Sequence, residues 1–444
     1  MNALTRLLAA AGLVAALSTA QATPLEAPAI RAASIELAGL LEQRFLFPDI
    51  GQRYGEMLRA RAASGAYDAL TEPAPLAATW EAELRALHMD AHLRVLPVDP
   101  GVSTMGNLRR DQPAFGEPAW LAEGVAYLPV HLLPGDTAAQ EQMAKFLETY
   151  AGARALVLDL RTCFGGTLPA MDVLFARLFA EPTRLVRMDM RLSPESEVRR
   201  QFNEIATLKR MPAPAGTFRW DHWAEPAQKD DPWARARVLV LTDLTASACE
   251  HLAYSLKLRG RGTLIGATTR GAGHFGGFQR FGGQFEVFVP IGRTYDIETD
   301  RGWEGTGIAP DIAVPAPEAL VRAATELGIA TDQLLALAAT QPAIRAVGGN
   351  PGQRRYGMAM APPPAGATAL PILQVAADSI AARAGLQVGD RILRLNGRAV
   401  AGLSPAELPG LMRGSPLTVV VERAGQELTF EMSLDGPASE PRSD

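Results

Sequence analysis

The sequence predicts a multidomain α/β (α+β) protein with a helical N-terminal domain, a core of βαβ units and a small C-terminal β domain. Three observations carry this reading. Apolar residues recur at helical spacing from Pro28 to Ala86, punctuated by Pro48, Gly65 and Pro73. Short continuous apolar runs then alternate with helical stretches, the pattern of strands buried in a sheet covered on both faces. After Gly366 the chain changes to short strands and turns. With 444 residues, 48% of them hydrophobic and 20% charged, the chain can bury a large core and divides into two or three domains.

Taken in order, the N-terminus reads as an export signal. Arg6 supplies positive charge, Leu7 to Leu17 is almost wholly apolar, and Ala20-Gln21-Ala22 fits a small-x-small cleavage site. The expectation is a signal peptide over residues 1–22, a mature chain from Thr23, and a periplasmic or secreted protein. A retained anchor is the alternative. No later apolar run reaches about eighteen residues, so no integral membrane span is expected. Residues 23–103 form the helical domain and 104–316 the core.

Within the core, Gly124 to Val130 reads as a strand and Ala138 to Ala151 as a helix. Ala155 to Leu160 is a buried strand ending in a glycine turn, followed by a helix over Leu168 to Leu178. The same grammar returns as the strand Arg237 to Thr242 with a helix over Ala248 to Leu258, and again as the strand Gly262 to Gly266 with a Gly-rich loop. Catalytic loops belong at the carboxyl ends of such strands. Asp189 to Trp233, rich in Pro, Trp and charge, reads as an insertion without a legible structure. Residues 317–349 read as a helical linker, and 350–436 as the final domain.

Net charge is −5, and no basic stripe with interleaved aromatics is present, so nucleic acid is not an expected partner. No metal-ligand cluster, phosphate loop or dinucleotide fingerprint stands at useful spacing, and no metal or cofactor is implied. Asp296 to Asp300 holds three acids without the glycine and glutamate of a calcium loop. The two cysteines, Cys163 and Cys249, can close a disulfide in an oxidising compartment or remain two thiols.

Ser247 sits in Thr245-Ala-Ser-Ala-Cys-Glu250, between small residues, after a buried strand and at a helix start. Its local reading is an N-cap. The functional reading is a nucleophile exposed on a strand-to-helix turn beside free backbone N–H groups. Three further stretches accompany it: Asp159-Leu-Arg-Thr-Cys-Phe-Gly-Gly166, Gly266-Ala-Thr-Thr-Arg-Gly-Ala-Gly-His274 and Trp303-Glu-Gly-Thr-Gly-Ile-Ala-Pro-Asp311. In order, the four resemble the motifs of the tail-specific, C-terminal-processing peptidase family, across roughly residues 105–315.

The resemblance implies a βαβ-type peptidase core of the ClpP/crotonase-like kind. It also implies Ser247 as nucleophile, with oxyanion donors from Gly165, Gly166 and Ala248. Many members use a lysine base after the third strand, but Ala272 stands at that position here. The loop Gly271-Ala-Gly-His274 instead resembles the branch of tricorn-core peptidases and interphotoreceptor retinoid-binding protein. That branch implies His92, in Asp90-Ala-His-Leu-Arg94, as base and Glu304 as its support, a Ser–His–Glu set. Imidazole can take the hydroxyl proton at neutral pH, and a carboxylate fixes its tautomer.

His274, with Gly271 and Gly273, is expected to line the substrate groove or to replace His92 as base. His251 reads as packed or surface-facing, and Glu250 as an acid of the helix's first turn. His88 and His222 carry no motif support.

Gly385-Leu-Gln-Val-Gly-Asp-Arg-Ile-Leu-Arg-Leu-Asn-Gly397 resembles the central sequence of a PDZ domain, with its turn, strand and Asn-Gly hairpin in fixed order. PDZ domains bind extended peptides by strand addition. Their carboxylate loop corresponds to Tyr356-Gly-Met-Ala-Met360, making Gly357 and Met358 peptide-binding candidates. The functional expectation is therefore an exported serine peptidase acting on peptides or unfolded protein chain ends through an acyl-enzyme. A catalytically silent apolar-ligand or peptide-binding scaffold is the alternative, and a generic esterase is a third reading.

Overall fold

A computed structural model describes residues 24–98, 113–191, 197–340, 356–360, 368–375, 379–401, 411–412, 416–423 and 425–433. The leader expected over residues 1–22 and the boundaries expected near 103 and 349 lie outside the described residues. Three helices come first: α1 (Ala27–Arg44), α2 (Pro48–Ala63) and α3 (Pro73–Leu87), each with a proline in its first turn, where a missing N–H costs nothing. Their buried faces, with Leu37, Leu41, Tyr54, Leu58 and Trp80, join the main core. The strand after them, β1 (Arg94–Pro97), leaves the helices and pairs antiparallel with β11 (Phe285–Tyr295). The segment around Asp90 is thus fixed to the core.

The central sheet has the order β12-β9-β8-β4-β3-β2, formed by β2 (Ala119–Ala122), β3 (Val125–Pro129), β4 (Ala155–Asp159), β8 (Arg237–Thr242), β9 (Thr263–Gly266) and β12 (Ile312–Ala313). All its pairs are parallel except β2 with β3. Side chains alternate between its faces. Ala126, Leu128, Leu156, Leu158, Val238 and Val240 point to one core, while Val125, Tyr127, Val157, Leu239 and Leu241 point to another. The first face is covered by α4 (Thr137–Thr149), α5 (Pro169–Leu178) and α8 (Ala248–Leu258).

The second face is covered by Leu320, Ala323 and Ala324 of α9 (Ala319–Glu326) and Leu334 of α10 (Thr331–Thr340). The stretch expected to be a linker therefore seals the sheet, because burying both faces of a parallel sheet needs a second helical layer.

The segment without a legible structure, Asp189 to Trp233, supplies two strands and the end of a third to a second, antiparallel sheet. Its order is β1-β11-β5-β7-β6, with β5 (Thr183–Arg191), β6 (Leu208–Met211) and β7 (Thr217–Ala224), and with β10 (His274–Phe281) also paired to β11. Between β5 and β6 lies α6 (Glu197–Glu204), and α7 (Pro232–Arg235) leads back to β8. The C-terminal sheet runs β13-β14-β15-β17-β18, formed by β13 (Met358–Met360), β14 (Leu370–Val375), β15 (Arg391–Leu395), β17 (Leu417–Arg423) and β18 (Gln426–Met432). The short β16 (Arg398–Ala399) pairs with β15, and α11 (Ile380–Arg383) packs Ala381 into a separate core with Leu370, Ile392 and Phe430.

At the carboxyl end of β4 the chain buries an ion pair. Arg161 bonds both oxygens of Asp159 at 2.9 and 2.6 Å, Tyr127 donates its hydroxyl to Asp159 Oδ2 at 2.7 Å, and Arg161 reaches the Ala316 carbonyl at 3.0 Å. Both charges are nearly inaccessible, so each depends on the other. Arg161→Met is expected to lower unfolding stability by about 3–5 kcal/mol and Tyr127→Phe by about 1 kcal/mol. Denaturant midpoints at unchanged slope are the check.

Candidate active site

Ser247 lies five residues beyond the end of β8, at the N-cap of α8. The approach loop is held on both sides by backbone contacts. Leu244 N–H donates to the Arg161 carbonyl at 3.0 Å, Ala246 N–H to Cys163 at 2.9 Å, and Arg270 N–H to Thr245 at 3.0 Å. The Thr245 hydroxyl donates to the Leu160 carbonyl at 2.8 Å. Ser247 itself adopts φ 57° and ψ −126°, a conformation that costs a non-glycine residue about 1–3 kcal/mol. This is the strand-to-helix elbow that lifts a hydroxyl out of a turn.

Glu250 maintains that conformation. Its Oε2 accepts the Ser247 N–H at 2.9 Å and the Ala272 N–H at 2.8 Å, while Oε1 accepts the Thr269 hydroxyl at 2.5 Å and the Gly271 N–H at 2.7 Å. The side chain is fully buried. Burial pushes its carboxyl above the ordinary glutamate range, against the pull of those four donors. An acid expected only to complement the helix dipole is thus the joint between the Ser247 turn and the loop leading to His274.

His274 opens β10 on the other side of that loop. Its Nδ1 lies 2.7 Å from Asp90 Oδ2, and Asp90 Oδ1 accepts the N–H groups of His92 at 2.9 Å and Leu93 at 3.1 Å. Burial pushes the Asp90 carboxyl up, but the His274 hydrogen bond and charge and the His92 N–H together hold it below the usual aspartate range. With Nδ1 taken by Asp90, His274 keeps Nε2 for the cavity.

Glu304 takes the backbone on either side. Its Oε2 accepts Gly273 N–H at 2.7 Å and His274 N–H at 2.8 Å, and Oε1 accepts Ala91 N–H at 2.6 Å. Burial, and then the Asp90 charge, raise its carboxyl.

A cavity of about 130 Å³ adjoins these groups, and Ser247, Ala248, Gly166, Gly273 and His274 all line it. His92 does not. Its ring stacks on Phe288 with centroids 5.2 Å apart. The carboxylate expected to support His92, Glu304, is occupied by main-chain donors instead.

Of the three oxyanion candidates, Gly165 turns its N–H to Cys249 Sγ at 3.2 Å. A Cβ there would stand 2.7 Å from Ser247 Cβ, so this glycine serves close approach. Among the described residues the N–H groups of Gly166 and Ala248 carry no intramolecular hydrogen bond. Gly166 has φ 137°, and a Cβ would fall 2.0 Å from the Leu133 carbonyl oxygen.

Cys163 and Cys249 form a disulfide with Cα atoms 5.9 Å apart, closing the question the sequence left open. It ties the turn two residues before Gly165 to the helix two residues after Ser247. Asp90, His274 and Glu304 each bring a donor atom within 4.8 Å of the others, a spacing at which a cation could sit. Both carboxylates already accept three hydrogen bonds each, from backbone N–H groups and, at Asp90, from the imidazole.

Asp90 carries no signal of its own in the sequence beyond its place two positions before His92. Lys257 pairs with Asp311 at 2.8 Å on the surface, as a solvated lysine should.

Residues 124–314 match the family model described as Peptidase family S41, and residues 372–423 match that of the PDZ domain. The chain therefore carries an S41 peptidase family domain followed by a C-terminal PDZ domain. Among solved structures it is similar to a lipoprotein from Streptococcus agalactiae, at 14% identity over 67% of this chain and 96% of that one, with a TM-score of 0.44. It is also similar to the photosystem II D1 C-terminal processing protease, at 14% identity over 65% of this chain and 93% of that one, with a TM-score of 0.41. The HtrA3 PDZ domain bound to a phage-derived ligand matches 17% of this chain and 64% of its own at 29% identity, with a TM-score of 0.14. Among the described residues no helix is long and apolar enough to cross a membrane.

Glu250→Gln keeps one acceptor oxygen and turns an NH2 group toward two N–H donors. It is expected to lower stability by about 2–4 kcal/mol, and to slow the labelling of Ser247. Thermal unfolding and serine labelling on the same sample test both effects.

Proposed function

We propose that this chain is an exported serine peptidase that cleaves peptide bonds through an acyl-enzyme on Ser247, with His274 as base and Asp90 as its orienting carboxylate. The observation that carries the reading is the shared cavity: Ser247 and His274 both open on it, and Asp90 holds the far nitrogen of the imidazole at 2.7 Å. In this mechanism Ser247 Oγ attacks the scissile carbonyl carbon while its proton passes to His274 Nε2. The oxyanion is received by the N–H groups of Gly166 and Ala248, and His274 returns the proton to the leaving amine. Water, deprotonated by the same imidazole, then hydrolyses the ester.

His92 serves this scheme through its backbone, whose N–H donates to Asp90. Glu304 positions the His274 main chain.

The PDZ domain is assigned the recruitment of peptide or unfolded chain ends. Among the described residues β13 is an edge of its sheet, paired on one side with β14, so an extended peptide can add along the other. Gly357, at φ 73° and tight against Ser379, opens that strand. Export is supported by the Leu7 to Leu17 leader and by the disulfide, which persists in oxidising compartments.

A fluorophosphonate probe is expected to label Ser247, with labelling lost in Ser247→Ala and reduced on the order of 10³-fold or more in His274→Ala. His92→Ala should stay within about tenfold of the natural chain. Loss of labelling in His92→Ala with His274→Ala still reactive would reverse the assignment of the base.

The Asp90–His274 pair also predicts an acid limb. A carboxylate held below its unfolded value stabilises the folded state at pH above that value, and this contribution disappears as pH falls through the folded value. The stability difference between the natural chain and Asp90→Asn should be constant above about pH 5 and shrink below about pH 4. Denaturant titrations across pH 2.5–7 would show it, and a difference that grew on acidification would contradict the lowered Asp90 value.

A further inference from the structure

A second row of imidazoles stands behind the cavity and takes no part in the proton transfers above. His251 lies one turn beyond Ser247 on α8, its N–H donating to the Ser247 carbonyl at 3.0 Å, and it lines the cavity. Its Nε2 is 2.8 Å from His222 Nδ1, and His222 Nε2 is 2.7 Å from Asp172 Oδ1. The other Asp172 oxygen accepts the Thr207 hydroxyl at 2.7 Å. His222 is fully buried and His251 nearly so.

Asp172 accepts from His222 Nε2. His222 Nδ1 and His251 Nε2 share one hydrogen, so His251 Nδ1 is the end of the row, an acceptor or a donor according to which ring carries that hydrogen. Burial, and then the neighbouring His222, hold the His251 imidazole well below its ordinary value, so it stays neutral. Among the described residues Nδ1 has no hydrogen-bond partner.

The remaining cavity wall is mostly apolar, with Met188, Val198, Phe202, Ile205 and Phe275, and carries Thr167, Gln201 and Thr294 as its polar members. Trp303 belongs to the same wall, its ring 6.4 Å from that of His251, and its Nε1–H is buried without a partner. An unfilled imidazole nitrogen in a mostly apolar pocket matches a hydroxyl, which both donates and accepts. The volume, about 130 Å³, is close to the roughly 150 Å³ of an apolar cavity that binds benzene, so a six-membered ring fits.

We infer that the Asp172–His222–His251 row makes His251 a specificity-determining residue, which selects peptides carrying tyrosine on the acyl side of the cleaved bond over those carrying phenylalanine. This rests on the reading of Ser247 as nucleophile. A pocket with an unmet polar group rejects the ligand that lacks its partner far more strongly than it rejects a change of one methylene.

The test uses the full chain and a matched pair of peptidyl diphenyl phosphonates, identical except for a tyrosine-type or phenylalanine-type side chain, together with a fluorophosphonate that has no side chain. The expected result is a rate constant for Ser247 modification about tenfold or more higher for the tyrosine probe, and a ratio near one in His251→Leu. Equal rates for the two probes in the natural chain, with the fluorophosphonate still reacting, overturn this inference and leave the nucleophile standing. A tyrosine preference that survives in His251→Leu overturns the assignment to His251. Failure of all three probes overturns the nucleophile, and the specificity inference falls with it. Because the ratio in the natural chain is decisive by itself, a His251→Leu chain that does not fold leaves the test intact.

Discussion

The Glu250 carboxylate, with four donors on two oxygens, is the interaction on which the arrangement of the site depends. It reaches back to the strained Ser247 N–H and forward to Thr269, Gly271 and Ala272. Ser247 at positive φ is unfavourable by itself, and the Glu250 side chain from the first turn of α8 retains it. A buried carboxylate surrounded by N–H groups offsets its own desolvation only if every donor stays in place. The strain at Ser247 and the course of the 269–272 loop are therefore one cooperative unit, and the imidazole at the end of that loop inherits its position.

Two further carboxylates extend the same logic. Glu304 takes the main chain of Gly273, His274 and Ala91, while Asp90 takes the His274 ring. They stand close enough for the Asp90 charge to raise Glu304, so the pair divides the work by environment. Asp90, with a positively polarisable partner at Nδ1, is the one held ionised. Asp90 is carried by the end of the helical domain, which β1 anchors to β11, so that domain forms part of the site's frame.

Much of this was legible in the chain. The parallel strands announce themselves because Ala155 to Leu160 and Arg237 to Thr242 are apolar on both faces. The PDZ domain is equally plain, because a glycine turn, a strand and an Asn-Gly hairpin demand particular residue types in order. The second sheet was not legible. Its strands β5 and β7 put Arg187 against Asp221 and Asp189 against Arg219 across neighbouring strands, so charged side chains that look like surface satisfy one another in a half-buried layer.

The choice between His92 and His274 was open for a related reason. Both flank Asp90 in space, one through its backbone and one through its ring, and sequence spacing cannot distinguish a donor N–H from a donor imidazole.

Most of one wall of the cavity comes from the same illegible segment. Met188 from β5, Val198 and Phe202 from α6, and Ile205 beyond it form the wall facing Ser247, and β7 supplies His222 to the imidazole row behind it. The central sheet presents Ser247 beyond the end of β8, where a parallel sheet leaves its loops free. The antiparallel sheet presents His274 at the start of β10 and Asp90 ahead of β1, together with part of the cavity wall. A change in α6 or β7 can therefore alter which side chain is admitted without touching the Glu250 joint, whereas a change at Glu250, Gly165 or the disulfide disturbs the reactive geometry whatever the side chain. The α6 wall and the Glu250 joint thus meet at the cavity from separate segments, which is what allows one to vary while the other is held.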